Sequence, residues 1–240
     1  MAIEFFPRPG RSQVPHPAIP ALVLKVVRNA VVKGWELLRT FPPQGFNLAT
    51  DLEETVTTAL HNTLVNRVLY GNLIPGFTPD LFRVTREPKV YTYNADSLKK
   101  MPDLLFHLIS DRNVAFPDQD GIFAECKPID TNHAVGSDYC ELGLMRFISG
   151  EYAWSMREGM MIGYAANGYN LPGELTTSLA WGDRPKRMPL ISGPTPIPRT
   201  AATAHSQLPH LTIHRRDFQY TDTGKDAPEV TIHHLWLVRS

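Results

Sequence analysis

The chain has 240 residues, 42% of them hydrophobic and 20% charged, with 24 basic residues balancing 24 acidic ones. This size and composition predict a globular protein with a sizeable core and exclude disordered and fibrous classes. No run of about 18 apolar residues is present, and the proline-broken first 17 residues lack the apolar run of a secretory signal. We therefore expect a cytoplasmic protein without a membrane span.

The N-terminal region is predicted to be an appendage on a larger domain. Residues 1–17 are proline-rich and irregular in pattern, whereas residues 19–39 carry apolar side chains at helical spacing. Pro42-Pro43 and Gly45 end this helix. We interpret residues 1–45 as the appendage and residues 46–240 as the main domain.

A second helix is predicted from Thr50-Asp51, which can cap it, to about Tyr70. Its first turn carries Glu53 and Glu54, and Glu53 shares the apolar face because it lies seven residues before Leu60. An acid in this place either complements the helix dipole or points toward a functional site. The pattern alone leaves both interpretations open.

Residues 101–129 predict two short strands joined by a turn. Asp103 lies at the start of the first strand, and Glu125-Cys126-Lys127 lies inside the second. Because side chains alternate along a strand, Glu125 and Lys127 project to one side. If the strands pair, Asp103 can meet Glu125. Two carboxylates and an ammonium suit a hard divalent cation and the activation of a water bound to it.

The turn between these strands contains Asp118 and Asp120, which favour turn formation over metal binding in this context. A helix is predicted to begin at Ser137-Asp138 and to end at Gly150. Further elements are a strand at 159–166, a short helix at 173–181, a proline-rich loop at 184–198 and a final strand at 230–238.

Histidines and cysteines give no metal-binding pattern. His233 and His234 point to opposite faces of the final strand, so we expect them to be structural rather than a chelating pair. Cys126 and Cys140 lie in apolar surroundings without CxxC or paired Cys/His spacing. They are predicted to be buried free thiols rather than a disulfide or zinc ligands.

Pro102-Asp103, a hairpin-sized gap and Glu125-x-Lys127 resemble the PD-(D/E)xK signature of restriction-endonuclease-like nucleases. The helix and the strand that follow the second motif half are similar in order to those of this superfamily. The resemblance covers about residues 50–166. It implies an α/β fold with a restriction-endonuclease-like core, in which helices flank a central mixed β-sheet.

The resemblance also implies roles for individual residues. Asp103, Glu125 and the carbonyl of Cys126 would hold Mg²⁺ or Mn²⁺, with Glu53 (alternatively Glu54) on the same ion or on its water. Lys127 would orient or help to deprotonate the attacking water, or neutralise the phosphate.

Two features depart from the superfamily pattern. Pro128 follows the lysine and cannot donate a ladder hydrogen bond, so the strand is expected to end or to lie at an edge there. Cys126 is a less usual residue between the glutamate and the lysine. Neither departure removes a catalytic group.

The neutral overall charge neither indicates nor excludes nucleic-acid binding, but one segment is locally basic. Between residues 184 and 216 there are six Lys or Arg residues and no Asp or Glu. Such asymmetry suits phosphate contacts, although a solvated loop followed by a structural strand explains it equally well. The candidate contacts are Arg184, Lys186, Arg187, Arg215 and Arg216.

Together these features favour a metal-dependent nuclease that hydrolyses phosphodiester bonds, with DNA as the expected substrate. The resemblance implies a setting in bacterial defence against foreign DNA, as a homo-oligomer or within a larger complex. The alternative is a nuclease-fold binding or assembly subunit whose site is idle. A hydrolase on another scaffold is disfavoured because GxSxG, HExxH, Walker A and GxGxxG patterns are absent.

Overall fold

A computed structural model describes residues 14–93, 100–109, 112–197, 203–221 and 223–239 of the chain. It has an α/β architecture in which helices flank one mixed seven-stranded sheet, as the sequence predicted. Residues 1–13 of the N-terminal segment that was predicted to be irregular lie outside the described residues. Within the described ranges, no helix is long and apolar enough to cross a membrane.

Helices begin the described part of the chain, and strands end it. The helices are α1 (Ala21–Thr40), α2 (Glu53–Thr63), α3 (Met145–Ile148), α4 (Leu171–Ala180) and α5 (Arg184–Arg187). A π-helical stretch at Leu64–Leu69 continues α2, and a second one at Val135–Leu144, the π segment, leads into α3. The strands are β1 (Phe82–Arg86), β2 (Leu104–Leu108), β3 (Gly121–Ile129), β4 (Glu158–Ala165), β5 (Leu190–Pro196), β6 (His210–His214) and β7 (Val230–Val238).

The strand order in the sheet is β1-β2-β3-β4-β7-β6-β5. In the centre of the sheet, β4 is parallel to both of its neighbours, β3 and β7, and every other neighbouring pair is antiparallel. Every residue of β4 is buried. A central strand covered on both faces needs apolar side chains on both, which explains the apolar run of residues 159–165 after Glu158.

Strands β2 and β3 separate partway along β3. Their pairing runs from His107 opposite Gly121 to Leu104 opposite Ala124. Strand β3 nevertheless continues to Ile129, paired with β4 on its other side. Beyond Ala124, no strand in the described part of the chain pairs with the β2-facing side of β3.

The separation explains how the sheet accommodates Pro128. The Ala166 amide donates to the Ile129 carbonyl on the β4 side, whereas the Cys126 amide donates to Asp103 on the β2 side. Because backbone groups alternate sides along a strand, the nitrogen of Pro128 faces the β2 side as well. The predicted edge is thus a local one, since β3 neither ends at Pro128 nor lies at the outer edge of the sheet.

Helix α1 belongs to the same core as the sheet. Its Trp35 ring stacks on Tyr164 of β4 with centroids 5.3 Å apart, and the Trp35 Nε1 donates to the Val238 carbonyl at 3.1 Å. Thr57 of α2 reaches the Tyr164 hydroxyl at 3.0 Å. Both helices thus cover one face of the sheet. The domain division at residue 45 stays a prediction.

Several element boundaries differ from the prediction. The expected caps Thr50 and Asp51 do not cap α2: Leu52 holds the N-cap position, and Asp51 accepts the Asn47 amide at 2.9 Å instead. The sequence of residues 81–93 alternates as in an extended stretch, but only residues 82–86 form a strand. The predicted loop at 184–198 is wrong, because it contains α5 and β5. Prolines are tolerated in β5 because it is an outer strand.

The two adjacent histidines of β7 have separate structural partners, as predicted. His233 Nδ1 lies 2.9 Å from Arg28 Nη1, so the imidazole accepts and stays neutral. His234 lies between the Tyr139 hydroxyl at 2.9 Å and the Thr212 hydroxyl at 2.7 Å. The two cysteines are buried and free, which confirms that prediction.

The buried state of His233 gives a testable pH dependence of stability. Burial, together with the Arg28 charge, lowers the pKa of His233 to about 3. The unfolded chain, with its ordinary histidine pKa of about 6.5, therefore binds a proton that the folded chain does not. The contribution of His233 to the free energy of unfolding should fall as the pH drops below 6.5, by about 1.4 kcal/mol per pH unit.

The measurement is urea unfolding of the wild type and His233→Gln at pH 7.5 and 5.5. Relative to the variant, the wild type should lose about 1.4 kcal/mol of unfolding free energy between pH 7.5 and pH 5.5. A difference that is independent of pH would contradict the neutral buried imidazole.

Candidate active site

The candidate site lies where β2 and β3 separate. Asp103 directly precedes β2, and its Oδ2 accepts the backbone amide of Cys126 at 2.6 Å. This side-chain contact stands where the next ladder hydrogen bond between the strands would be. Asp103 is thereby fixed to the backbone of β3 next to Glu125.

Glu125 places a carboxylate in the middle of the sheet, where its side chain is only 1% exposed. Its Oε1 lies 3.0 Å from Lys127 Nζ and 3.1 Å from Arg146 Nη1. Its Oε2 accepts the Tyr152 hydroxyl at 2.5 Å. A buried carboxylate is unfavourable without such partners, and here two cations and a phenol supply them.

Lys127 connects two acids. Its Nζ donates to Glu53 Oε1 at 2.9 Å and lies 3.0 Å from Glu125 on the same face of β3. The lysine stem passes close to Gly143 in the π segment. A Cβ on that glycine would lie 3.4 Å from Lys127 Cγ and 2.6 Å from Met161 Cε. The glycine therefore permits the close approach of the π segment to β3.

The two glutamates in the first turn of α2, which the sequence left as alternatives for the site, have different surroundings. Glu53, whose side chain is 31% exposed, reaches Lys127. Glu54 is 79% exposed and pairs with Arg86 at 3.3 Å, away from the site. The structure therefore brings Glu53, and not Glu54, to the cluster.

Burial and neighbouring charge set the protonation of the cluster. Burial raises the pKa of Asp103 to about 7, and the nearby Glu125 acts in the same direction. Burial also raises the pKa of Glu125, against the opposing effect of Lys127 and Arg146. For Lys127 burial acts downward, but the surrounding carboxylates, Glu125 foremost, outweigh it and raise its pKa. Lys127 is therefore a cation near neutral pH.

The cluster has the chemistry of a hard-cation site but not the arrangement of one. Glu53, Asp103 and Glu125 provide carboxylates. The Cys126 carbonyl faces the β2 side of β3, as its amide does. All four groups are oxygen donors of the kind that Mg²⁺ uses. In the described part of the chain, no three His, Cys, Asp or Glu side chains are placed to share a metal ion. The Lys127 ammonium lies between two of these carboxylates instead.

Sequence reasoning missed Arg146 and Tyr152 as members of the site. They come from α3 and from the loop after it, so their approach to Glu125 depends on how the helix packs on the sheet. The sequence feature that could have pointed to such partners was Glu125 itself. A carboxylate within an apolar strand requires donors from elsewhere in the chain.

Asp118 and Asp120 lie outside the cluster, as the turn interpretation predicted. Asp118 is exposed within the short 3₁₀ turn at Pro117–Gln119. Asp120 is buried and contacts Arg112 at 3.1 Å and His16 at 3.3 Å. It ties the N-terminal segment to the β2–β3 connection and has a structural role.

The basic candidates for nucleic-acid contact divide into exposed and engaged side chains. Lys186 and Arg215 are exposed. Arg184 donates to Glu141 of the π segment at 2.8 Å, and Arg187 lies 3.6 Å from the same carboxylate. Two of the charges in the basic segment are therefore partly neutralised by an acid that the linear sequence places elsewhere.

Arg216 is a structural residue, which corrects its placement among the phosphate contacts. It is 4% exposed. Its guanidinium donates to the backbone carbonyls of Ala153, Trp154, Met156 and Pro228. A side chain held in this way is not available to a ligand at the surface.

Comparison of the chain with protein-family models, with curated proteins and with solved structures finds no match. A functional interpretation therefore depends on the chemistry of the cluster around Glu125 and on the order of the elements that carry it.

The Tyr152 contact gives a stability prediction for this cluster. Tyr152→Phe removes a hydroxyl that donates to Glu125 at 2.5 Å and accepts from Arg146 at 2.6 Å. Because the carboxylate stays buried, we expect the free energy of unfolding to fall by about 2 kcal/mol, measured by urea unfolding. Tyr70→Phe is the control, since Tyr70 is 65% exposed and its change should be close to zero. Equal effects of the two substitutions would contradict the buried contact.

Proposed function

We propose that this protein is a metal-dependent nuclease that hydrolyses phosphodiester bonds, with DNA as its substrate. The observation that supports this most directly is the cluster around Lys127. Its ammonium lies 2.9 Å from Glu53 and 3.0 Å from Glu125, beside the point where β2 and β3 separate and Asp103 accepts the Cys126 amide. The three acids and the lysine of the PD-(D/E)xK resemblance thus come from four separate chain positions to one place.

The order of elements supports the same proposal. Helix α2 carries Glu53, three antiparallel strands follow, and β3 carries Glu125 and Lys127. Strand β3 then leads into the π segment and α3, which pack beside it, and into β4, which runs parallel to β3. A helix and then a strand after the lysine-bearing strand is the order that the resemblance implies for a restriction-endonuclease-like core.

The proposed mechanism assigns one task to each side chain. Mg²⁺ or Mn²⁺, held by Asp103, Glu125, Glu53 and the Cys126 carbonyl, would supply a water that is nucleophilic near neutral pH. Lys127 would orient or help to deprotonate the attacking water, or neutralise the developing charge on the phosphate.

The surface that would meet DNA includes Lys186 and Arg215, because both are exposed. Arg184 and Arg187 would share their charge between Glu141 and a phosphate. A role in defence against foreign DNA, alone or within a larger complex, rests on the resemblance only.

One observation favours a second candidate, an idle binding or assembly subunit. Both oxygens of Glu125 are already engaged by donors of the protein itself. A carboxylate with such partners is stable without a metal ion. The two candidates differ in whether a divalent cation brings about cleavage.

Cleavage assays with supercoiled, linear and single-stranded DNA decide between them. We expect cutting in Mg²⁺ or Mn²⁺ and none in EDTA, with a loss of at least about 100-fold in Asp103→Asn, Glu125→Gln and Lys127→Met. Glu53→Gln should also be impaired. Glu54→Gln is the matched control, because its side chain lies in the same turn but contacts Arg86 instead.

Each outcome has a distinct meaning. Metal-dependent cutting that survives both Asp103→Asn and Lys127→Met would exclude this cluster as the active site. No cutting of any of the three DNA forms, with DNA still bound, would favour the idle subunit.

A further inference from the structure

Arg146 links the buried part of the cluster to the protein surface. Its Nη1 lies 3.1 Å from Glu125 Oε1 and donates to the Tyr152 hydroxyl at 2.6 Å, yet 34% of its side chain is exposed. Lys127 contacts the same oxygen but is only 12% exposed. Of the two cations on Glu125, Arg146 is therefore the one with direct access to solvent.

The two cations also differ in their acidic partners. Within contact distance in the described part of the chain, Lys127 has two carboxylate partners, Glu53 and Glu125, whereas Arg146 has one, Glu125. Arg146 therefore has fewer ion pairs to break than Lys127 when it leaves the cluster.

A divalent cation on Glu125 would compete with Arg146 for the same atom. Glu125 Oε1 already receives two cationic donors at 3.0 and 3.1 Å. A metal ion on this oxygen would add two positive charges beside them, in a partly buried place where repulsion is weakly screened. At least one of the existing donors must leave.

We propose that Arg146 holds the position of the divalent cation on Glu125, and that cation binding releases its guanidinium to bind a phosphate of the nucleic acid. This inference rests on the proposed function and adds a residue to it. The planar guanidinium is suited to phosphate oxygens. The Tyr152 ring, 5.8 Å from the Arg146 guanidinium carbon, would remain in contact with the displaced side chain. The exchange moves a side chain and breaks no covalent bond.

The exchange predicts opposite effects of one substitution on two ligands. In Arg146→Gln the competitor is gone, so we expect Mn²⁺ and Mg²⁺ to bind about 10-fold more tightly in titration calorimetry. The same variant should bind a duplex oligonucleotide about 10-fold more weakly, measured by fluorescence anisotropy in Ca²⁺. A merely structural role would weaken both or neither.

Two control variants isolate the charge of Arg146. Arg146→Lys keeps the charge, so its cation affinity should stay near that of the wild type. Arg86→Gln removes an arginine that pairs with Glu54 and Glu87 outside the cluster, and it should change neither affinity. Thermal unfolding of each variant shows whether it is folded at the temperature of the titrations.

The outcomes separate this proposal from the nuclease proposal. If the wild type cuts DNA in Mg²⁺ but folded Arg146→Gln binds the cation no more tightly, the exchange is refuted and the nuclease stands. Tighter cation binding with unchanged DNA affinity would refute the phosphate role of Arg146. Cation binding by Arg146→Gln alone would support the exchange even if the wild type proved idle. Absence of cation binding in both proteins would refute the exchange together with the metal site.

Discussion

The arrangement of this site depends on the burial of one carboxylate. Glu125 lies on a strand inside the sheet with 1% of its side chain exposed, where an unpaired charge would be unfavourable by several kcal/mol. The fold meets this requirement with Lys127 from the same strand, Arg146 from α3 and Tyr152 from the loop beyond. Because these donors come from different elements, the packing of α3 on the sheet and the geometry of the site are coupled.

The separation of β2 from β3 is the second constraint, and it explains how the sheet accommodates Pro128. It leaves the β2-facing side of β3 without a strand, so Pro128 has no ladder bond to break. It also lets Asp103 take the Cys126 amide. The thiol of Cys126 points to the opposite face, where burial raises its pKa well above the ordinary value and keeps it unreactive.

Strongly periodic segments could be predicted from the sequence, and contacts set by tertiary packing could not. Strand β7 has the predicted bounds of 230–238, because β-branched and large apolar residues make up most of it. The cap of α2 and the strand β5 were missed, since Asp51 binds the Asn47 amide and β5 gains its hydrogen bonds from the distant β6. In the site, the alternation along β3 predicted that Glu125 and Lys127 share a face. The addition of Arg146 depended on a helix whose orientation no local pattern encodes.

The composition of the cluster is itself an argument about its purpose. Apolar residues of similar volume would often stabilise a core as well as a buried ion cluster does, or better. Here five ionisable side chains nevertheless converge: Glu53, Asp103, Glu125, Lys127 and Arg146. Under the proposed function, a divalent cation would have to displace the contacts that satisfy Glu125, so stability and cation binding would oppose each other at the same oxygen atom. Such opposition is expected of a functional site, where stability is lost for the sake of chemistry.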